Sequence, residues 1–231
     1  MIKLLNQLLK TIEYQLSFAE RKSLGITVKP DLSVFVKAPI NTPNDKIEKV
    51  IFKRAAWIIK QQSYFLTFFP KSLPKKYVSG ETHLYLGRSY RLKIEQAKIN
   101  SVKLKGKFIY VEVNKQSKPE NILKNWYNEN ARLKFEAYAQ PLIQQFQKYN
   151  VEPSNIILRE MPTRWGSCTP KGKIILNPEL IKAPKGCIEY VILHELCHLV
   201  HHDHTQKFID LQTKEMPNWE KWKMKLETLL A

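Results

Sequence analysis

The segment YVILHELCHLV, residues 190–200, restricts the fold more than any other part of the chain. Its apolar residues cover most faces of a helix, so a helix formed here must be buried. Within it lie His194, Glu195 and His198, and burying such polar groups costs free energy unless they have partners. Residues four apart lie on one helical face, one turn above the other. The segment therefore predicts a buried helix, over about residues 185–200, whose two histidines face the same point.

Two imidazoles one helical turn apart can bind a single metal ion. A glutamate beside the first histidine can then accept a proton from a water molecule at that ion. His194, Glu195 and His198 form the H-E-x-x-H arrangement of zinc peptidases. We hypothesise a Zn²⁺ site with the two histidines as ligands and Glu195 as the general base. The alternative is a helix with two satisfied surface histidines, which the apolar remainder of the segment disfavours.

A catalytic zinc ion usually has three protein ligands, so a third must come from outside this pair. His201 and His202 are expected to continue the helix, which would place them about 10 Å from the level of His194, too far to share its ion. His204 follows a turn-forming aspartate and can fold back onto the ion. We predict His204 as the third ligand, with Glu215 as the alternative. His201 and His202 are expected to lie near the site or in solvent without binding the ion.

Two further residues with metal-binding side chains are expected to be structural. Cys197 could bind zinc as a thiolate, but a small buried apolar side chain is the favoured interpretation. His83 is remote in sequence from the motif. The three cysteines are an odd number and lie far apart, which fits reduced thiols in the cytoplasm better than a disulfide framework.

The surroundings of the helix resemble a known family. The resemblance rests on the segment RWGSC at 164–168, the Asn-Pro pair at 177–178, the HELCHL helix and a His-x-x-x-Phe ending at 204–208. These features are similar to the YgjP-like, or WLM-type, metallopeptidases, which are related to SprT-like zinc proteases. The similarity is specific over residues 157–208 and weaker in GRSYRLKI and NWYNENARLKF. It implies a zincin-type catalytic half, with zinc bound by His194, His198 and His204 and with Glu195 as the catalytic base.

The RWGSC segment has two interpretations. As an edge strand beside the metal helix, it could hold an extended substrate by backbone pairing, with Arg164 near a carbonyl or phosphate oxygen. As a tight turn, it would use Gly166 to relax the backbone and Trp165 to fill the core. The second interpretation is slightly favoured for Trp165, and both stay open for Arg164, which is a candidate substrate contact.

Hydrophobic patterning predicts an α+β fold, and no internal repeat is visible in the sequence. The expected elements are three strands within 12–37, a helix after Thr42 and Pro43, strands between 80 and 113 with turns at Gly87 and Gly106, a long helix after Pro119 bent at Pro141, a strand, a loop and a strand before the metal helix, and a helix after Pro217. We predict an N-terminal, mostly antiparallel sheet with a helix over residues 1–118. A zincin-like metallopeptidase domain is predicted over residues 119–231.

The formal net charge of +17 would attract polyanions such as nucleic acid, nucleotides or an acidic protein. The lysines are spread along the chain and form no single basic stripe, so a nucleic-acid partner remains a possibility that the charge does not establish. Polar residues interrupt the leucines near the N-terminus and no cleavage site follows, so no export signal is expected. No apolar run has the length of a membrane span, and we expect a cytoplasmic protein.

Three functions are compatible with these features of the sequence. The leading hypothesis is a zinc metallopeptidase that cleaves protein or peptide substrates, with Glu195 as general base. The same site could act on nucleoside triphosphates, since a pyrophosphatase activity has been attributed to a member of the family that the sequence resembles. A basic nucleic-acid-associated protein with a structural metal is the third possibility. It would require a fourth ligand such as Cys197 and would leave Glu195 without a role.

Overall fold

The computed structural model describes residues 2–7, 10–29, 31–66, 75–162 and 164–230. The chain forms two compact units, Met1–Ser72 and Leu73–Leu230, and each has its own hydrophobic core. The described part of the chain is mixed α/β, with three small sheets and five α-helices. None of the helices in these ranges is long and apolar enough to cross a membrane.

The first unit consists of a four-stranded sheet and one helix. Its elements are β1 (Ile2–Gln7), β2 (Lys10–Ala19), β3 (Gly25–Val28), β4 (Val34–Pro39) and α1 (Asn44–Leu66). The strand order is β1-β2-β4-β3, in which β2 and β4 are parallel and the two outer pairs are antiparallel. Alternate residues of the inner strands, such as Tyr14 and Val36, share a core with Ile51 and Ile58 on one face of α1. The three predicted strands are present, and β1 is an additional strand.

The second unit begins with another four-stranded sheet and helix. Its elements are β5 (Thr82–Tyr85), β6 (Arg88–Gln96), β7 (Ser101–Lys105), β8 (Phe108–Val113) and α2 (Pro119–Phe146). The predicted turns lie at Gly87 and Gly106, whose φ angles of 78° and 59° suit glycine. Helix α2 continues through Pro141. Leu92, Ile109 and other inward-facing residues of the sheet pack with α2 in the core of this unit.

The two four-stranded sheets have the same topology. The second sheet has the order β5-β6-β8-β7, with β6 and β8 parallel and the outer pairs antiparallel. In both units, two hairpins therefore join through their second strands, and a helix follows. No repeat is visible in the sequence, yet the two sheets repeat one another in their strand order. Strand pairing defines the repeat, and many unrelated alternating sequences can adopt the same pairing.

The remaining elements are α3 (Lys185–Val200), the helix that carries the H-E-x-x-H residues and is called the metal helix, and the strands and helices around it. The latter are β9 (Asn155–Leu158), β10 (Gly166–Cys168), β11 (Lys173–Leu176), α4 (Gln206–Glu215) and α5 (Trp219–Leu230). The strand order is β10-β11-β9, with β10 antiparallel and β9 parallel to β11. The predicted strand, loop and strand are therefore three strands, because part of the expected loop pairs along β11. The helix predicted over 185–200 has these bounds in α3.

The compact units divide after residue 72, whereas the sequence predicted a boundary between residues 118 and 119. The turn between β5 and β6 explains why the second sheet belongs with the metal helix. Backbone N–H groups of Leu86 and Gly87 donate to the carbonyls of Ile181 and Lys182, at 2.8 and 3.0 Å. A Cβ atom on Gly87 would lie 2.5 Å from the ring of Pro184. The turn thus packs directly on the chain that leads into α3, a contact between distant segments that no local pattern indicates.

Candidate metal centre

Helix α3 places the H-E-x-x-H residues along one wall of a cleft. Its apolar residues, such as Ile192 and Leu196, are fully buried in the core of the second unit. His194, Glu195 and His198 face the other way and line an open cleft of about 580 Å³. The opposite wall is formed by residues 164 and 166–170, which include β10. The buried helix predicted from the sequence therefore presents its polar residues to a space that a substrate could enter.

His194, His198 and His204 come together at this cleft. One ring nitrogen from each lies within 4.8 Å of the other two, and the Nε2 atoms of His194 and His204 are 3.0 Å apart. In a tetrahedral zinc site with Zn–N bonds of about 2.0–2.1 Å, the ligand nitrogens lie about 3.3 Å from one another. The three rings therefore have a spacing that suits a single ion.

The chain reverses after α3 and brings His204 back to the helix. The helix ends at Val200, and His201 has an extended conformation with φ −131° and ψ 109°. The sequence argument that His201 and His202 continue the helix is therefore wrong. Their carbonyl oxygens instead lie 3.3 and 3.1 Å from Nδ1 of His198. This local turn makes His204 accessible to the site, and it explains why His201 and His202 contribute backbone oxygens there.

Hydrogen bonds on the far side of the rings select which nitrogen can bind an ion. Carbonyl oxygens only accept, so Nδ1 of His198 carries the proton and Nε2 has a free lone pair. Nδ1 of His194 lies 2.7 Å from Oε1 of Gln212, which acts in the same way. Gln212 is on α4 and is only 1% exposed. Sequence reasoning missed this residue because nothing local marks a glutamine eighteen positions from its partner.

Phe208 packs against all three histidines. Its ring centroid lies 5.0, 4.7 and 4.8 Å from those of His194, His198 and His204. The side chain is fully buried at the start of α4. Its position in the His-x-x-x-Phe ending was noted only through the family resemblance. The structure supplies the physical reason, since one aromatic ring restricts the orientation of all three imidazoles.

Both helical histidines are neutral at physiological pH. The pKa of His194 is lowered to about 4, chiefly by burial and also by the neighbouring His198 and His204, against the raising effect of the hydrogen bond to Gln212. Burial also lowers the pKa of His198 below its ordinary value. A metal ion binds the neutral form of imidazole, so little work is needed to remove protons before an ion enters.

Glu195 is buried against β10, with 5% of its surface exposed. Burial raises its pKa to about 7, although the charge of Arg164 and a hydrogen bond from the backbone N–H of Cys168 act in the opposite direction. A Cβ atom on Gly166 would lie 2.5 Å from Oε1 of Glu195. Gly166 therefore leaves room for the carboxylate beside a strand, which differs from the tight turn considered in the sequence analysis.

Arg164 lies at the rim of the cleft, and its side chain is exposed. Its backbone carbonyl accepts a hydrogen bond from Nδ2 of Asn177 at 3.3 Å, and the same nitrogen donates to the carbonyl of Met161 at 2.9 Å. Asn177 is buried, so it fixes the segment that carries Arg164. The adjacent Trp165 packs partly against the core, as the favoured interpretation expected. A substrate contact by Arg164 stays a prediction.

Glu215, the alternative third ligand, is committed to a different cluster. Its carboxylate accepts hydrogen bonds from Gln145 at 2.7 Å, Lys148 at 2.8 Å and Tyr149 at 2.5 Å. Among the described residues, the group with metal-binding geometry contains the three histidines and no carboxylate. The structure therefore does not bring Glu215 to the site, because α4 directs it towards the end of α2.

Cys197 and His83 have the surroundings expected of structural residues. Cys197 is fully buried in the core, and burial raises the pKa of its thiol to about 12. The thiol thus stays protonated, which disfavours metal binding. His83 is also buried, and its Nε2 lies 2.9 Å from the carboxylate of Glu81. That carboxylate also accepts from the backbone N–H groups of Lys76 and Tyr77.

The comparison with family models agrees with this geometry. A model described as the YgjP-like metallopeptidase domain matches residues 22–229. The chain belongs to the YgjP-like family. The match spans most of the chain, and it confirms the resemblance seen in the sequence. A metallopeptidase domain implies a bound metal and a hydrolytic reaction, and in this YgjP-like chain the histidine triad is a group that could hold the ion. The comparison with curated proteins gives no match.

Proposed function

We propose that this YgjP-like protein is a zinc-dependent peptidase that hydrolyses peptide bonds in proteins or peptides. The observation that carries the proposal is the convergence of three imidazoles, within 4.8 Å, beside a buried carboxylate with a pKa near 7. His194, His198 and His204 would hold the ion, which when bound supplies a Lewis acid that makes water more acidic and polarises a carbonyl. The three unpaired cysteines favour a reducing, cytoplasmic environment.

Glu195 has the properties of a general base for this reaction. A carboxylate with a pKa near 7 can accept a proton from water and then give it to the leaving amine at neutral pH. Its burial between α3 and β10 limits competing hydrogen bonds from solvent. The hydrogen bond from Cys168 holds the carboxylate towards the cleft, where the attacking water and the substrate would meet.

The free edge of β10 offers a place for an extended substrate. The carbonyl of Trp165 accepts from the N–H of Asn177, directly after β11, and the N–H of Thr169 donates to the carbonyl of Lys173 in β11, at 2.9 Å each. In an antiparallel pair, the backbone N–H and C=O groups of alternate residues point towards the partner strand and away from it. The N–H and C=O groups of Gly166 and Cys168 therefore point away from β11. The N–H of Cys168 donates a hydrogen bond to the carboxylate of Glu195. The N–H and the carbonyl of Gly166 and the carbonyl of Cys168 can then pair with the backbone of a peptide. Arg164 at the rim could donate to a substrate carbonyl.

Metal analysis of the purified protein tests the site. We expect about one zinc ion per chain in the wild type and a large loss of zinc in His204→Ala, because two imidazoles bind the ion much more weakly than three. His201→Ala is the matched control and should keep its zinc, since His201 contributes only its backbone carbonyl. Equal zinc content in both variants would remove His204 from the ligand set.

A nucleotide pyrophosphatase is the second candidate, and the exposed guanidinium of Arg164 beside the triad favours it. Parallel assays with casein-derived peptides and with nucleoside triphosphates separate the two reactions. We expect peptide cleavage that is lost in Glu195→Gln. Release of pyrophosphate without any peptide cleavage, also lost in Glu195→Gln, would replace the peptidase by the pyrophosphatase at the same site.

A further inference from the structure

The β5–β8 sheet has an outer face that does not belong to the core of its unit. Side chains alternate between the two faces of a strand. Leu92, Ile109 and Val111 point inward and pack with α2. Their neighbours Phe108 and Tyr110 on β8 therefore point to the opposite face, and each is half-buried. Two aromatic rings on the outer face of a sheet require an explanation other than core packing.

The register of the sheet places basic residues on both sides of each ring. Across the three strands β6, β8 and β7, one row consists of Arg91, Phe108 and Lys105, and the next of Lys93, Tyr110 and Lys103. We call these two rows the aromatic–basic face. The lysines that are dispersed in the sequence are thus collected here by strand pairing. The four cations surround two rings whose centroids are 6.0 Å apart.

Contacts within the face keep the charges close to the rings. Nζ of Lys93 lies 4.3 Å from the centroid of Phe108 and 5.2 Å from that of Tyr110. Nζ of Lys103 lies 3.3 Å from the carboxylate of Glu112, and Glu112 begins an acidic third row that ends the face. Exposed cation–π contacts and surface ion pairs are weak, so a ligand can displace both lysines from their present partners.

We propose that the aromatic–basic face binds single-stranded nucleic acid. Nucleobases stack on aromatic rings, and phosphates pair with lysine and arginine. A four-stranded sheet with aromatic residues on its open face can stack two or three bases. Duplexes do not offer their base faces, so the rings select single strands. This inference does not depend on the metal site and extends beyond the proposed hydrolysis.

The first sheet supplies a natural control, because its topology is the same. Its inner strand β4 carries Phe35 on the outer face, and the register places Gln15 and Thr27 on either side. Nζ of Lys29 lies 3.8 Å from the centroid of this ring. This sheet therefore offers one ring with neutral neighbours in its row and one lysine beside it, where the aromatic–basic face offers two rings and four cations. Substitution of Phe35 should therefore leave nucleic-acid binding unchanged.

Fluorescence anisotropy of the full chain with labelled twelve-nucleotide oligo-dT and oligo-U tests the proposal. We expect binding to at least one probe, and about tenfold weaker binding for the loss of each ring in Phe108→Ala and Tyr110→Ala. Phe35→Ala should bind like the wild type. Phe108→Leu and Tyr110→Leu keep the apolar volume while removing the stacking surface, and they replace the alanine variants if those fail to fold.

Salt dependence tests the charges separately. Each phosphate contact contributes about −0.7 to the slope of log affinity against log salt for single strands. Lys103→Gln with Lys105→Gln should therefore make the slope shallower by about 1.4. Lys49→Gln with Lys53→Gln, on the exposed side of α1, is the control and should leave the slope unchanged.

Three results would overturn the proposal. They are failure to bind either oligonucleotide at low salt, undiminished binding by both ring variants, and equally tight binding of a duplex of the same length. Peptide hydrolysis by the ring variants should stay at the wild-type level, because the face contributes nothing to the histidine cleft. A negative binding result thus leaves the proposed peptidase standing, and loss of hydrolysis in Glu195→Gln leaves this face intact.

Discussion

Glu195 and Glu215 are two buried carboxylates in the second unit with opposite surroundings. Glu195 is 5% exposed, and burial raises its pKa to about 7. Glu215 is half-buried as a residue, but its side chain is only 2% exposed, and burial alone would raise its pKa. Hydrogen bonds from Lys148, Tyr149 and Gln145 outweigh that effect and hold the pKa below its ordinary value.

The difference teaches that burial by itself does not make a carboxylate reactive. Glu215 has three donors, one of them cationic, so its charge is satisfied and it joins the end of α2 to α4. Glu195 has few compensating partners and faces a cleft, which is the situation that poises a group for proton transfer. Helix α4 contacts both sites, because Gln212, one turn before Glu215, holds His194.

The largest expected difference between the two glutamates is in the catalytic rate of their glutamine variants. For Glu195→Gln we expect a loss of about 10³-fold in kcat/KM for a peptide substrate, with zinc retained, because the general base is removed and no ligand is. Glu215→Gln should stay within a few-fold of the wild type where both are folded. Steady-state kinetics with zinc analysis measure this, and an active Glu195→Gln would end the assignment of the base.

The stability of the metal-free protein should depend on pH with opposite sign for the two carboxylates. The pKa of Glu195 is about 7 in the folded protein, against an ordinary value of 4.5. Folding thus favours the protonated carboxyl group of Glu195. Its contribution to the free energy of unfolding is fully present below pH 4.5 and is lost as the pH rises to about 7. The loss amounts to roughly 3 kcal/mol. Glu215 has a lowered pKa, so its contribution is present above pH 4.5 and disappears as the pH falls.

Urea unfolding in the presence of a chelator, from about pH 2.5 to 7.5, measures both effects as differences from the wild type, the Glu215 effect below pH 4.5 and the Glu195 effect above it. The difference between Glu195→Gln and wild type should move in favour of the variant as the pH rises. For Glu215→Gln it should move against the variant. The depressed pKa of His194 is common to all three proteins and cancels to first order. Parallel stability curves for the two variants would contradict the contrast between the sites.

Substitutions of Gln212 and Gln206, both on α4, test whether this helix supports the metal site through Gln212. Gln212→Ala should weaken zinc binding by about 10- to 100-fold, because the Nδ1 proton of His194 loses its acceptor and the ring is no longer oriented. Gln206→Ala is the matched control, since Gln206 is exposed and bonds only to Asp210 among the contacts the structure describes for its side chain. Competition with a chromophoric chelator measures the affinity. Unchanged affinity in Gln212→Ala would limit that residue to packing.

The smallest effect concerns the structural carboxylate alone. Glu215→Gln should lower the free energy of unfolding at pH 7 by about 1–2 kcal/mol, because charge-assisted hydrogen bonds become neutral ones. Glu160→Gln removes the partner of Lys124 from an exposed ion pair at 2.7 Å, and it should cost less than Glu215→Gln because solvent screens the exposed pair. Thermal or urea denaturation compares them. A larger cost at Glu160 would show that burial does not decide the value of these pairs.

Local patterns predicted those parts of the fold that depend on neighbours in sequence. The bounds of α3 follow from a continuous apolar helix, and the turns at Gly87 and Gly106 follow from glycines between alternating segments. Where the structure differs from these expectations, the difference depends on contacts between distant segments. The turn at Gly87 packs on the start of α3, which joins the second sheet to the metal helix. Strand β10 forms only because β11 is available to pair with it.

The sequence alone determined the chemical groups of the candidate site. Two histidines and a glutamate at fixed spacing on a buried helix already indicated a metal centre, because helical geometry relates residues that are four apart. Tertiary structure decided which more distant groups complete it. Packing and strand pairing, which depend on the whole chain, brought His204 and Gln212 to the rings, turned Glu215 away, opened space for Glu195 at Gly166 and assembled scattered lysines around two aromatic rings.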